Sequence, residues 1–151
     1  MDVVEIELNI CLDSLSIYSH NVITGKIYFS IEDRFFPEKG WEDFVVVILA
    51  WWLKALLNLK NSRNGITQVF EFMDGPLFVR GTKISEDIVE MQFIKEKADF
   101  EHIYFTCQCS INQLKNTLIT TTKYLLKELE RRNLESDDIE ELERMWKILN
   151  N

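Results

Sequence analysis

Phe44-Val45-Val46-Val47-Ile48-Leu49-Ala50-Trp51-Trp52-Leu53-Lys54-Ala55-Leu56-Leu57-Asn58-Leu59 is the greasiest stretch of the chain. Its reading decides the fold. Phe44 to Leu53 pass without a polar side chain, Lys54 interrupts, and Ala55-Leu56-Leu57 resumes. Steps of three and four align Phe44, Ile48, Trp51, Ala55 and Leu59 on one face of a helix. Val45, Leu49, Trp52 and Leu56 form an adjoining stripe. A helix apolar nearly all round belongs inside a protein. A membrane span needs about twenty apolar residues, and Lys54 ends this run at about half that. The β-branched Val45 to Ile48 favour a strand, but the segment is too long for one and its second half favours helix. The expectation is a buried central helix at about 43–60, with Glu42 and Asp43 at its positive end.

Outward from that helix the pattern changes period. Val4, Ile6, Leu8, Ile10 and Leu12 alternate with polar residues, as a half-buried strand does. Asp13-Ser14-Leu15-Ser16 reads as a turn, and a second strand follows at about 22–31. Residues 32–43, with Pro37 and Gly40, read as a shaped loop into the helix. Beyond it, strands are expected at 66–72, 77–83, 88–94 and 102–109. Met73-Asp74-Gly75-Pro76 punctuates the first two, since Asp-Gly suits the positive backbone angles of a tight turn.

The last third is helical. Ser110 and Gln113 have the spacing of a capping box. Ile111, Leu114, Leu118, Thr121, Leu125 and Leu129 then mark one face of a helix at about 110–133. Ser136-Asp137-Asp138 opens another at about 136–150, its acids suited to the helix N-terminus. Strands followed by helices indicate an α+β fold. The expectation is one domain over 1–151, with a sheet of about six antiparallel strands, a central helix and a C-terminal helical hairpin.

The 151 residues carry a formal net charge of −8. Residues 1–109 hold 10 basic and 17 acidic side chains, a net of −7; the remainder holds 7 and 8, a net of −1. Nucleic-acid binding depends on Lys and Arg neutralising phosphates, so direct nucleic-acid binding is not expected. An acidic surface instead favours encounter with a basic partner. Met1-Asp2-Val3-Val4-Glu5 is acidic where a secretory leader would be basic, and no membrane segment is expected. With three cysteines, an odd number, the reading is a cytoplasmic protein with reduced thiols.

No catalytic constellation emerges. The two histidines, His20 and His102, sit in no recognised nucleophile motif. Cys107 and Cys109 lack the spacing of zinc or redox motifs. The glycines form no phosphate loop. Acid pairs such as Glu5/Glu7 read as solvated strand faces. No metal, no cofactor and no enzymatic activity are expected. Trp51 and Trp52 read as core, and Trp41, in the loop, as the better contact residue.

Phe36-Pro37-Glu38-Lys39-Gly40-Trp41-Glu42-Asp43, the apolar helix with Trp51 and Leu53, and Phe72-Met73-Asp74-Gly75-Pro76 together carry a resemblance. The combination, over about Phe36 to Pro76, resembles small bacterial immunity proteins of contact-dependent-inhibition and related polymorphic toxin systems. The resemblance implies an acidic, catalytically silent antitoxin that binds and occludes a cognate toxin domain, often a basic nuclease. It carries no contact residue with it. From charge and turn position, the expected partner-binding residues are Glu32, Asp33, Glu38, Trp41, Glu42, Glu86 and Asp87. A regulatory or structural interaction domain would share this composition. A small-ligand binder would need a cavity lined by the tryptophans.

Overall fold

The computed structural model describes residues 2–18 and 22–151, so His20 lies outside the described residues. Among the described residues the element order is β1 (Glu7–Ile17), β2 (Ile23–Ile31), β3 (Arg34–Phe36), β4 (Glu42–Asp43), α1 (Val45–Lys60), β5 (Thr67–Glu71), β6 (Leu77–Lys83), β7 (Ile88–Glu96), β8 (Glu101–Ser110), α2 (Ile111–Arg131) and α3 (Asp137–Leu149). The α+β class, the antiparallel pairing, the central helix and the helical hairpin agree with expectation.

The single six-stranded sheet does not. There are two four-stranded sheets. In the first, β2 is central, pairing with β1 and with both β3 and β4. The second is a meander, β5-β6-β7-β8. Val3 joins the two through a parallel bridge to Gln108, with Val4 N–H donating to Gln108 O at 2.8 Å.

The two extra strands lie in the stretch expected to be loop. Ile31 pairs with Arg34 across a two-residue turn at Glu32-Asp33, and Glu32 takes φ +55°. Hairpin turns of this kind usually advertise themselves with Asn or Gly; Glu does not. Glu38-Lys39-Gly40-Trp41 then closes with Trp41 N–H on Glu38 O at 3.2 Å. Gly40, at φ +80°, supplies the positive angle that the third residue of such a turn requires. The peptide Phe36–Pro37 is cis.

The expected turn at 13–16 is also strand. β1 continues to Ile17 through a register shift between Cys11 and Ser16, where Ser14 Oγ accepts from Lys26 N–H at 2.8 Å. A side chain thus replaces a missing ladder bond. At Asp74-Gly75, Leu77 N–H donates to Asp74 O at 3.1 Å. Neither residue has a positive φ, so the turn forms without the angles the dipeptide suggested.

α1 lies against β2, β5, α2 and α3. Beneath it, rings from both sheets meet. Trp52 sits 5.0 Å from Phe29 and 5.1 Å from Phe72, and Phe36 sits 5.3 Å from Phe93, centroid to centroid. Such contacts add to the area these rings bury. Trp52 is 0% exposed, whereas its neighbour Trp51 is 42% exposed. The sequence placed both in the core; only one is there.

Both ends of α1 are tied down by buried charges. Asp43 accepts from Phe44 N–H at 2.7 Å, from Trp41 Nε1 at 3.0 Å and from Met73 N–H at 3.3 Å. Lys83 Nζ donates to Lys60 O at 2.9 Å and Ser62 O at 2.8 Å. The acid faces the positive end of the helix and the ammonium the negative end, the arrangement the helix dipole favours.

Candidate protein-binding surface

α2 does something the sequence did not announce: it hydrogen-bonds to the edge of a strand. Gln113 Oε1 accepts from Ile6 N–H at 2.9 Å, and Gln113 Nε2 donates to Ile6 O at 2.6 Å. Thr117 Oγ1 accepts from Leu8 N–H at 3.0 Å, and Thr121 Oγ1 donates to Leu8 O at 3.3 Å. Two spacings make this work. Four helical residues rise about 6 Å, and two strand residues advance about 6.8 Å. Side chains at 113, 117 and 121 therefore keep step with backbone groups at 6 and 8. The capping box is corrected accordingly. Ser110 Oγ does accept from Gln113 N–H at 3.1 Å, but the Gln113 side chain goes to Ile6. An unpaired strand edge offers it both a donor and an acceptor.

The neighbouring row on α2, Asn116 and Thr120, stays exposed. Across from it stand Glu5 and Glu7, and Glu7 faces Ser30 in register. Between them runs an open groove of about 580 Å³, also lined by Glu32 of the β2–β3 turn. A second groove, of about 400 Å³, shares Glu7, Thr117 and Thr120 and continues toward Tyr28 and Tyr124. The seam between α2 and the first sheet is thus polar, acidic and partly aromatic.

Some surface acids are held in ion pairs, and those of this groove, like many others, are not. Glu101 forms a two-pronged bond with Arg80, at 3.0 and 2.5 Å, and the guanidinium lowers its carboxyl pKa. Glu128 lies between Arg131 and Arg132, whose hydrogen bonds bring it down to about 2. Glu141 pairs with Arg144 and Glu143 with Lys147. Among the described residues, no ion pair or side-chain hydrogen bond joins Glu5, Glu7 or Glu32 to another group. Their charges are left for solvent or a partner.

The seven expected contact residues divide. Glu32, Asp33 and Glu38 are exposed on the two turns flanking β3, and Glu42 is exposed on β4 opposite Lys26. Glu86 is exposed on the β6–β7 turn. Asp87 beside it is occupied: it accepts from Ser110 Oγ at 2.7 Å and Asn112 N–H at 2.9 Å, so it helps cap α2. Trp41 is half-buried, donating to Asp43 and lying edge-on to Phe72 at 6.5 Å. Both therefore make contacts within the fold. Only Glu32 of the seven lines the groove. Glu5 and Glu7 were read as solvated faces, and no local pattern marks them as facing a helix a hundred residues away.

His102 is exposed and lies edge-on to Tyr104 at 4.5 Å. Burial pushes the Cys107 thiol up to about 11 and the Cys109 thiol up to about 12, away from the thiolate form that a nucleophile needs. No group of His, Cys, Asp or Glu among the described residues is arranged to hold a metal ion. No helix among them is long and apolar enough to cross a membrane. Compared with known protein families, with curated proteins and with solved structures, the chain matches none.

Proposed function

We propose that this protein is an immunity protein: it binds a basic toxin domain in the cytoplasm and blocks it by covering its active surface. The observation that carries this reading is the groove walled by the unpaired carboxylates of Glu5, Glu7 and Glu32. Three like charges held without counter-ions attract a partner bearing Lys or Arg, and they raise the rate of encounter. Asp33 and Glu38, exposed on the adjoining turns, extend the same field. The protein performs no chemistry in this scheme. It supplies a surface complementary to one that would otherwise hold nucleic acid.

The test is co-purification with the product of the adjacent upstream gene, with growth measured when both are expressed. A one-to-one complex and rescued growth are expected. Replacing Glu5, Glu7 and Glu32 together by Lys should slow association and abolish rescue. Rescue and affinity unchanged in that variant would remove the groove from the interface. A stable complex with a non-toxic basic partner would instead make the chain a regulatory interaction domain.

A further inference from the structure

The groove beside α2 runs past its acids onto the outer face of the first sheet. Leu8 pairs with Phe29 and Ile10 with Ile27, and these rows point into the core. The rows between them, Glu7–Ser30–Phe35 and Asn9–Tyr28, therefore point outward. Phe35 is 40% exposed, and Tyr124, across the groove on α2, is 55% exposed. Tyr28 is half-buried and lies edge-on to Phe35 at 5.9 Å. Tyr28 and Tyr124 line the same stretch of groove as Glu7. Glu5 and Glu32 line the adjoining stretch.

Neither stretch is lined by a Lys, Arg or His, so every charge along it is negative. The cations nearby face elsewhere. Arg34 lies over the Phe105 ring at 5.1 Å, and Lys39 over the Phe35 ring at 5.6 Å. Lys123 and Lys127 line the groove on the α3 side of α2. Lys26 stands opposite Cys11, beyond Tyr28 at the far end. Asn9 turns its amide donor to Ser30 Oγ at 2.9 Å. Beside Glu7 the groove therefore offers a carboxylate and aromatic rings.

We propose that this stretch seats an arginine side chain of the partner, carried on an extended basic segment that lies along β1. The proposal rests on the reading of the acidic groove as the partner-binding surface, and it names the residue that groove selects. A guanidinium is flat and presents its donors as a fork. It bonds a carboxylate at two points and stacks on a ring, which the compact ammonium of lysine does less well. Glu7 supplies the carboxylate, and Tyr124 and Tyr28 supply the rings. The molecule already makes this combination once within itself. Arg80 bonds Glu101 at two points and lies over the Phe78 ring at 5.6 Å. Glu5 and Glu32 then receive a second base further along. Glu5 to Cys11 spans about 20 Å of extended chain, room for about six extended residues of the partner.

The test uses two fluorescein-labelled hexapeptides, one of alternating Gly-Arg and one of alternating Gly-Lys, and fluorescence anisotropy at low salt. The arginine peptide should bind roughly five-fold tighter, the size of one exposed cation–π contact joined to a two-pronged carboxylate bond. Tyr124→Leu removes the ring at an exposed position and should bring the two peptides to within about two-fold of each other. Tyr124→Phe keeps the ring and should keep the preference. Glu7→Gln should weaken both peptides. Equal affinity for the two peptides, with both weakened by Glu7→Gln, would overturn the arginine site and leave the acidic surface standing. No binding by either peptide, or binding that Glu7→Gln leaves unchanged, would overturn the arginine site and remove the groove from the partner-binding surface as well. A full preference for arginine in Tyr124→Leu would overturn the proposal by showing that the ring takes no part in it.

Discussion

α1 and α2 both lean on β-sheet, but by opposite means. α1 meets its sheets through a dry contact, with Val45, Ile48, Leu49, Trp52, Leu53, Leu56 and Leu59 all buried and a charge fastening each end. α2 has a narrower apolar face and adds a row of polar side chains that bond to a strand edge. Dry packing consumes the surface it uses. The polar seam leaves solvent beside it, and there the molecule keeps a groove with unpaired acids. Stability should be concentrated around α1, and recognition along α2.

The sharpest way to break this contrast lies within α1 itself. Trp52→Ala should destabilise by about 3–5 kcal/mol, the usual range for emptying a large buried aromatic site. It also strands Glu71 O, which Trp52 Nε1 meets at 2.7 Å. Trp51→Ala, one residue away, should change stability by about 0.5 kcal/mol or less, as exposed positions do. Urea denaturation of the two variants measures both. Equal losses would mean that the exposed face of α1 is packed as well.

Those adjacent tryptophans also mark how far the sequence could be read. Periodicity located α1, the later strands and both C-terminal helices, because each of those signals is local. A helix apolar on nearly every side does not reveal which residue is left outside, so Trp51 and Trp52 looked alike. Residues 32–43 looked like loop because β3 and β4 are only three and two residues long, too short to show alternation. The candidate site was legible in one residue, Glu32. Its other walls depend on α2 running beside β1, a pairing between positions more than a hundred residues apart. Composition cannot report that.

At the α2 seam the expected effects are smaller. Gln113→Ala removes both bonds to Ile6 and leaves a part-buried N–H and C=O to find water. A loss of about 2 kcal/mol is expected from the cost of stranding such groups. Gln113→Glu keeps the acceptor but cannot donate to Ile6 O, and it should recover only part of the loss. Thermal melts of the two variants decide it. Identical stability of the Ala variant and the wild type would show that the strand edge is satisfied without α2.

The far end of the same helix gives a pH-dependent counterpart. Glu128 is held down to about 2 by Arg131 and Arg132, and Arg132 also donates to Leu12 O at 3.2 Å, tying α2 to β1. A carboxylate depressed in the folded state contributes stability that is fully present above its unfolded value and is lost as pH falls through its folded one. Glu128→Gln should therefore lower the melting temperature near neutral pH. The difference from wild type should shrink as pH falls below the ordinary carboxylate range and vanish only below about pH 2. A difference constant across that range would mean that the side chain acts through packing.

The smallest effect expected is also the most telling for function. Glu5→Gln, Glu7→Gln and Glu32→Gln together keep the shape of the groove and remove its charge. If these acids served the fold, losing all three would cost stability. They have no partners to lose, and they repel one another, so the change should lie within about 0.5 kcal/mol in either direction. Association with a basic partner should nonetheless slow, and the salt dependence of its on-rate should flatten, since screened attraction is what the substitutions remove. Stopped-flow association at two ionic strengths, beside a denaturation curve, separates the two quantities. A marked fall in stability with an unchanged on-rate would assign these acids to the fold and return the α2 seam to the same role as the dry contact of α1.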